Sequence, residues 1–204
     1  MPRAPQSIGP VHPLLPKLRA LHLAGMLHTL DLRATQAAQQ NLAPTEFLAV
    51  LLDDEIERRQ QGRLALRLAE AGWHDGKTLA RFDFAAAPTL NRTRVLDLAT
   101  CAFVERRENL LLCGPTGVGK SHLAHAIAYE AVRRGYRALL RPTHRLLADL
   151  HAARADGSFA RKFLKLISVD LLVLDDFGLR PLSAQAIDDL YELITLRPTH
   201  CAVG

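Results

Sequence analysis

The chain of 204 residues carries 26 Lys and Arg against 21 Asp and Glu, for a net charge of +5 with histidine neutral, and 49% of it is hydrophobic. That length suits one or two domains with a real core, built mostly from Leu and Ala because aromatic residues are only 5% of the chain. No apolar run approaches the roughly 18–20 residues that span a bilayer, and the N-terminus lacks the apolar stretch of a signal peptide, which argues against membrane and secreted classes and leaves a soluble cytoplasmic protein as the expectation.

Residues 1–13 are rich in proline and are expected to form a disordered tail. From Leu14 to Leu42 the apolar spacing is helical, with a break near Gly25. Pro44 and Thr45 open a longer helix whose Leu48, Leu51, Leu52 and Ile56 line one face, followed by Leu64 and Leu68. Asp53, Asp54, Glu55 and Glu57 precede Arg58, Arg59, Arg63 and Arg67, the acid-before-base order that supports a helix through i,i+4 pairs. A small helical domain over 14–76 follows, closed by Gly72-Trp73-His74-Asp75-Gly76. It reads equally as an interaction module or as helices packed on the rest of the chain. Residues 77–108 predict a linker and a helix: Thr78–Phe84 extended and amphipathic, a break at Pro88, then Asn91 capping a helix with Val95, Leu96, Leu98 and Phe103.

Residues 109–204 alternate strands and helices, which predicts an α/β fold with a parallel sheet flanked by helices. The apolar run Asn109–Cys113 suits a buried parallel strand. It leads into Gly114-Pro115-Thr116-Gly117-Val118-Gly119-Lys120-Ser121, which fits G-x-x-x-x-G-K-[ST], the phosphate-holding P-loop. Gly114, Gly117 and Gly119 are expected to permit positive φ and close approach to an anion. Successive N–H groups then make an anion-binding nest at the head of a helix. Lys120 is placed to reach the β- and γ-phosphates and Ser121 to ligate Mg²⁺. A glycine-rich turn would be the ordinary alternative, but the setting is the strand–loop–helix the motif requires. Leu123, Ile127 and Ala131 recur along the helix, and Arg133-Arg134-Gly135 suits its C-terminal end. Arg137–Arg141 predicts a second strand, Thr143 and Ser158 the caps of two helices, and Asp170–Asp176 a strand ending in two carboxylates. Asp175 is assigned to Mg²⁺. Asp176 is assigned to orienting the attacking water. A last helix starts near Ser183 and carries Ile187, Leu190, Leu193 and Ile194.

Asp176-Phe177-Gly178 also spells a kinase motif, but the glycine-rich loop and H-R-D segment of protein kinases are missing. Cys101, Cys113 and Cys201 show no C-x-x-C spacing, which argues against a disulfide framework or zinc site. His122 and His125 lie one turn apart without an H-E-x-x-H pattern or a nearby acid in the sequence. Nine basic residues between Arg133 and Lys165 face only Asp149 and Asp156, a bias toward nucleic acid.

Beyond these local readings, the chain resembles the IstB-like ATP-binding proteins, helper ATPases of bacterial insertion sequences related to the DnaC helicase loaders within the AAA+ class. The resemblance rests on Leu18–Met26, on Glu46–Leu48 through Asp54-Glu55 and Arg58-Arg59, on Lys77–Leu79 with Phe82–Phe84, on Gly114–Ser121 with His122-Leu123-Ala124, and on Leu171–Gly178. It covers about residues 14 to 196. It implies a P-loop NTPase core of AAA+ type behind the helical domain, with ATP and Mg²⁺ as cofactors and double-stranded DNA and a DDE-type transposase as partners. It also implies homo-oligomers with ATP at the protomer interface. In the family a further strand, carrying a polar sensor residue, lies between the P-loop strand and the Asp175 strand, and an arginine finger and closing strand follow. Here the likeness fades at Leu196 and the sequence stops at Gly204. The expectation is therefore a core without its C-terminal strands and lid, two apolar strands facing a gap, and poor hydrolysis. A helicase loader, a small-metabolite P-loop kinase and a nucleotide-binding remnant without turnover stand as the alternatives.

Overall fold

Short helices lead into one long helix at the start of the chain. The computed structural model describes residues 13–73, 76–88, 90–197 and 201–203. His74 and Asp75 of the expected helix stop and nearly all of the expected tail thus lie outside the described residues. The chain divides into two compact units, one through Ala65 and one from Leu66 onward.

In the first unit, helix α1 covers Leu15–Ala20 with Pro16 in its opening turn, and α2 covers Ala24–Gln40, ending on Asn41 at φ 51°. The break lies at Leu21–Leu23, with His22 at φ 54°, and Gly25 is inside α2 rather than at the break. Gly25 is there because α3, Pro44–Ala71, crosses at that point. An added Cβ would sit 2.7 Å from the Glu55 Cα, and the Gly25 N–H donates to Glu55 Oε2 at 2.6 Å. Glu46 reaches back to the Ala43 N–H at 2.8 Å, half of a capping box. The expected apolar face of α3 is corrected. Leu51 is buried with Met26 and Leu30, but Leu48, Leu52 and Ile56 are about half exposed, because α2 covers only the narrow stripe that includes Leu51 and Glu55.

In the second unit a 3₁₀ turn, Leu79–Arg81, replaces the extended segment expected over Thr78–Phe84. Asn91 caps α4, Arg92–Leu98, by accepting from the Arg94 N–H at 3.1 Å. The single helix expected there is two, because Cys101 turns at φ 62° before α5, Ala102–Glu105, which buries Phe103. The remaining elements follow as β1 (Leu110–Leu111), α6 (Lys120–Arg133), β2 (Ala138–Pro142), α7 (Thr143–Ala155), α8 (Phe159–Ser168), β3 (Leu171–Asp175), α9 (Ala184–Leu196) and β4 (Cys201–Val203). Thr143 is the first residue of α7 rather than its cap, and its hydroxyl donates to the Asp175 carbonyl at 2.9 Å. Ser158 precedes α8 but its hydroxyl turns to Asp156. Ser183 caps α9 as expected, accepting from the Ala186 N–H at 3.2 Å.

The sheet is parallel throughout, in the order β1-β4-β3-β2. The expected gap between the P-loop strand and the Asp175 strand is occupied. β4 pairs Ala202 with Leu110 on one side and with Val173 on the other. Its three residues give parallel partners to Leu110 and Leu111 of β1 and to Leu172, Val173 and Leu174 of β3. Leu171–Leu174 of β3 are essentially inaccessible, as four consecutive apolar residues covered on both faces must be. Leu139, Leu150, Phe163, Leu190 and Leu193 pack on one side of them. Leu123, Ala124, Ile127 and Ala131 form the buried face of α6.

Candidate functional site

β1 runs into the glycine loop, and α6 begins at Lys120. Gly117 and Gly119 take φ 85° and 91°, the left-handed region where a Cβ is costly. Gly114 does not, which corrects the expectation for that glycine: a Cβ there would meet only ordinary contacts with Val118 and Lys120. What Gly114 contributes is its carbonyl. Lys120 Nζ donates to Gly114 O at 2.9 Å and to Pro115 O at 2.8 Å, so the ammonium is folded against the loop that precedes it.

The N-terminus of α6 opens on a cavity of about 560 Å³ that takes in Thr116, Gly117, Lys120, Ser121, Asp175 and Asp176. The partial positive charge of a helix start and its unpaired N–H groups make such an opening favourable to anions. Across it, Ser121 Oγ donates to Asp175 Oδ1 at 2.8 Å, joining two residues from α6 and the end of β3. The Asp176 N–H donates to the same oxygen at 3.0 Å. Asp176 itself sits at φ 56° with an exposed side chain at the cavity wall. Pro115 and Val118 do not line this cavity. They face an adjoining apolar one of about 590 Å³ with Val95, Leu98 and Leu110.

The electrostatics single out Asp175. The His125 imidazole, with Nε2 3.4 Å from Oδ2, does most to hold its carboxyl below the ordinary range; burial opposes this, and Ser121 and the Asp176 N–H assist. The sequence offered no acid near His125, but the fold brings one. His122 also lines the cavity but turns its ring from Asp175, with Nε2 2.9 Å from the Thr78 carbonyl and the ring edge-on to Phe82 at 5.2 Å. Phe82 in turn lies on Gly119. Neither histidine nor Phe82 was readable as part of the site from local motif spacing. The one available signal was that His125 follows Ser121 by four residues, hence one helical turn.

A serine hydroxyl and a carboxylate 2.8 Å apart are both hard oxygen donors, and Mg²⁺ is held by few such groups alongside phosphate and water. The residues present therefore fit a nucleotide phosphate chain with its cation.

Comparison with known proteins supports the nucleotide part of that fit. The family described as IstB-like ATP binding protein matches residues 16–203. A relative named putative ATP-binding protein in insertion sequence, from Mycobacterium tuberculosis, is 41% identical over 180 residues, covering 88% of this chain and 72% of that protein. An insertion sequence putative ATP-binding protein, as it is named, from Pseudomonas fluorescens is 40% identical, covering 88% and 78%. Among solved structures, AMPPCP-bound DnaA from Aquifex aeolicus superposes with a TM-score of 0.57 at 20% identity, over 64% of this chain and 42% of that one. This chain thus spans less than half of that structure, and the likeness concerns the fold. The fold shared with that structure is the parallel sheet flanked by helices that carries the P-loop.

Proposed function

This chain belongs to the IstB-like ATP binding protein family, and we propose that it is an ATP-binding helper in the transposition of an insertion sequence, acting on double-stranded DNA beside a DDE-type transposase. The observation that carries the nucleotide part is the Ser121–Asp175 bond, which closes the P-loop helix on the end of β3 beside Lys120. In this reading the loop from Gly114 to Ser121 holds the phosphates through its N–H groups, and Lys120 turns from the Gly114 and Pro115 carbonyls toward them. Ser121 and Asp175 hold Mg²⁺. When bound, the cation neutralises charge on the phosphate oxygens. Asp176, at the wall of the same cavity, would orient and polarise a water for attack on the terminal phosphorus of ATP, with ADP leaving as the bridging bond breaks.

The DNA part is supported by the relatives, which are insertion-sequence proteins at 38–41% identity, and by the net charge of +5. The same relatives favour a transposition helper over a helicase loader. A homo-oligomer with nucleotide between protomers belongs to the same proposal.

Lys120→Ala tests the nucleotide site. Losing a charge-assisted contact to phosphate costs about 3 kcal/mol, on the order of 100-fold in affinity. Titration with a fluorescent ATP analogue is expected to read that loss, and unchanged affinity would overturn the assignment. ATP-dependent assembly on double-stranded DNA, followed by gel shift, is expected for the native chain and not for Lys120→Ala. Assembly indifferent to nucleotide would count against the helper role.

A further inference from the structure

Asp175 is held from two helices at once. The first residue of α7 fixes its backbone, through the Thr143 hydroxyl on the Asp175 carbonyl at 2.9 Å. α6 fixes its side chain, and does so twice. Ser121 Oγ reaches Oδ1, and one turn later His125 Nε2 stands 3.4 Å from Oδ2. The two side chains share a ridge of α6 because residues four apart stack on one face. His125 and Asp175 are both largely buried, with side-chain exposures of 13% and 15%.

The second contact matters because a carboxylate bound through one oxygen is poorly defined. Its terminal torsion is broad and two-fold, so Ser121 and the Asp176 N–H, both on Oδ1, leave the other oxygen to swing. An imidazole N–H on Oδ2 sets the plane of the group. An ionised carboxylate only accepts, so Nε2 is the donor. Partners of this outer kind orient the groups that touch a metal, and removing them costs 10–100-fold in metal affinity.

We propose that His125 is a positioning residue: it holds Oδ2 of Asp175, keeps Oδ1 turned toward Ser121, and so sets how tightly the nucleotide site takes its divalent cation. This rests on the reading of Ser121 and Asp175 as the cation-holding pair.

The experiment measures binding of a fluorescent ATP analogue to the full chain as Mg²⁺ is raised, and separately in EDTA. His125→Ala is expected to raise the Mg²⁺ concentration at half-effect about 10-fold while leaving affinity in EDTA unchanged. His125→Gln, whose amide nitrogen stands in for Nε2, is expected to stay near the native midpoint. His125→Asn, too short to reach Oδ2, is expected to follow His125→Ala, and the Gln–Asn pair decides the matter if the alanine variant does not fold. Equal midpoints for Gln and Asn, or a loss of affinity in EDTA that matches the loss in Mg²⁺, would overturn the proposal. Asp175→Asn separates the two levels. If it abolishes the Mg²⁺ response while the His125 variants leave it intact, the cation pair stands and the role of His125 falls. If Asp175→Asn leaves the response intact, the cation reading falls and the proposal with it.

Discussion

Gly119 meets two demands that differ in origin. Its φ of 91° is local, and a Cβ there would also lie 2.9 Å from the Phe82 ring, brought from the segment before α4. Gly117, at φ 85°, faces open space. Alanine at either position is strained by about 1 kcal/mol or more, because L-residues resist the left-handed region. Overpacking against the ring adds about 1–3 kcal/mol at Gly119 alone. Thermal unfolding is therefore expected to show Gly119→Ala less stable than Gly117→Ala, with Phe82→Ala restoring part of the difference. Equal melting temperatures for the two alanine variants would refute the role of the ring. The motif spelled out the positive φ at both glycines, since that need follows from a tight turn into a helix. It could not reveal Phe82 on Gly119 or His125 on Asp175, because contacts made by the fold between distant segments leave no periodic trace.

The crossing of α2 and α3 turns on Glu55, a carboxylate with 3% exposure beside the buried Met26, Leu30 and Leu51. Arg58 at 2.9 Å and Arg59 at 2.7 Å neutralise it from its own helix, and the Gly25 N–H binds it from the other. Arg58 above all holds its pKa down, from 4.5 to about 2, against the opposing effect of burial. Arg33 does the same first for Asp54, from 3.8 to about 2, through a two-pronged contact at 2.7 and 2.9 Å. Both groups are more acidic folded than unfolded, so their contribution is complete above about pH 4.5 and is lost as pH falls toward about 2. Protection factors of the α2 amides, taken relative to the intrinsic exchange rate at each pH, are expected to hold level from neutrality to mild acid and then to fall across that window. Glu55→Gln should flatten the Glu55 part of the decline, and Glu55→Ala should weaken the crossing by about 2 kcal/mol at neutral pH. An unaltered acid profile in Glu55→Gln would rule the account out. Here the sequence was legible in outline only. The helices and the acid-before-base order were readable, but the buried face was not, because apolar periodicity gives no weight to a carboxylate that recruits its own counter-charges.

For the whole molecule, the same limit applies to charge. A count of basic residues from Arg133 to Lys165 treats them as one group, yet the fold divides them. Arg133 pairs with Glu130, Arg137 with Asp170, and Arg154 with the buried Asp189. Arg161, Lys162 and Lys165 belong to α8, whose Phe163 and Leu166 face the core. β4 shows the converse, since its three residues carried too little pattern to be read as a strand, and only the open edges of β1 and β3 give them a place. A DNA-contacting surface would draw on unpaired cations, because a paired one must first give up its partner. Phosphate contacts release counterions, so affinity for double-stranded DNA is expected to fall linearly on a log–log plot against salt, with about 0.9 of slope for each phosphate neutralised. Replacing Arg161, Lys162 and Lys165 together by alanine should lower that slope by about 1 for each side chain in contact. Arg154→Ala should instead lower stability, since it leaves the buried Asp189 carboxylate with the Gln185 amide but no counter-charge, and leave the slope alone. Anisotropy titrations over a range of salt separate the two classes, and a triple variant with the native slope would move the DNA surface away from α8.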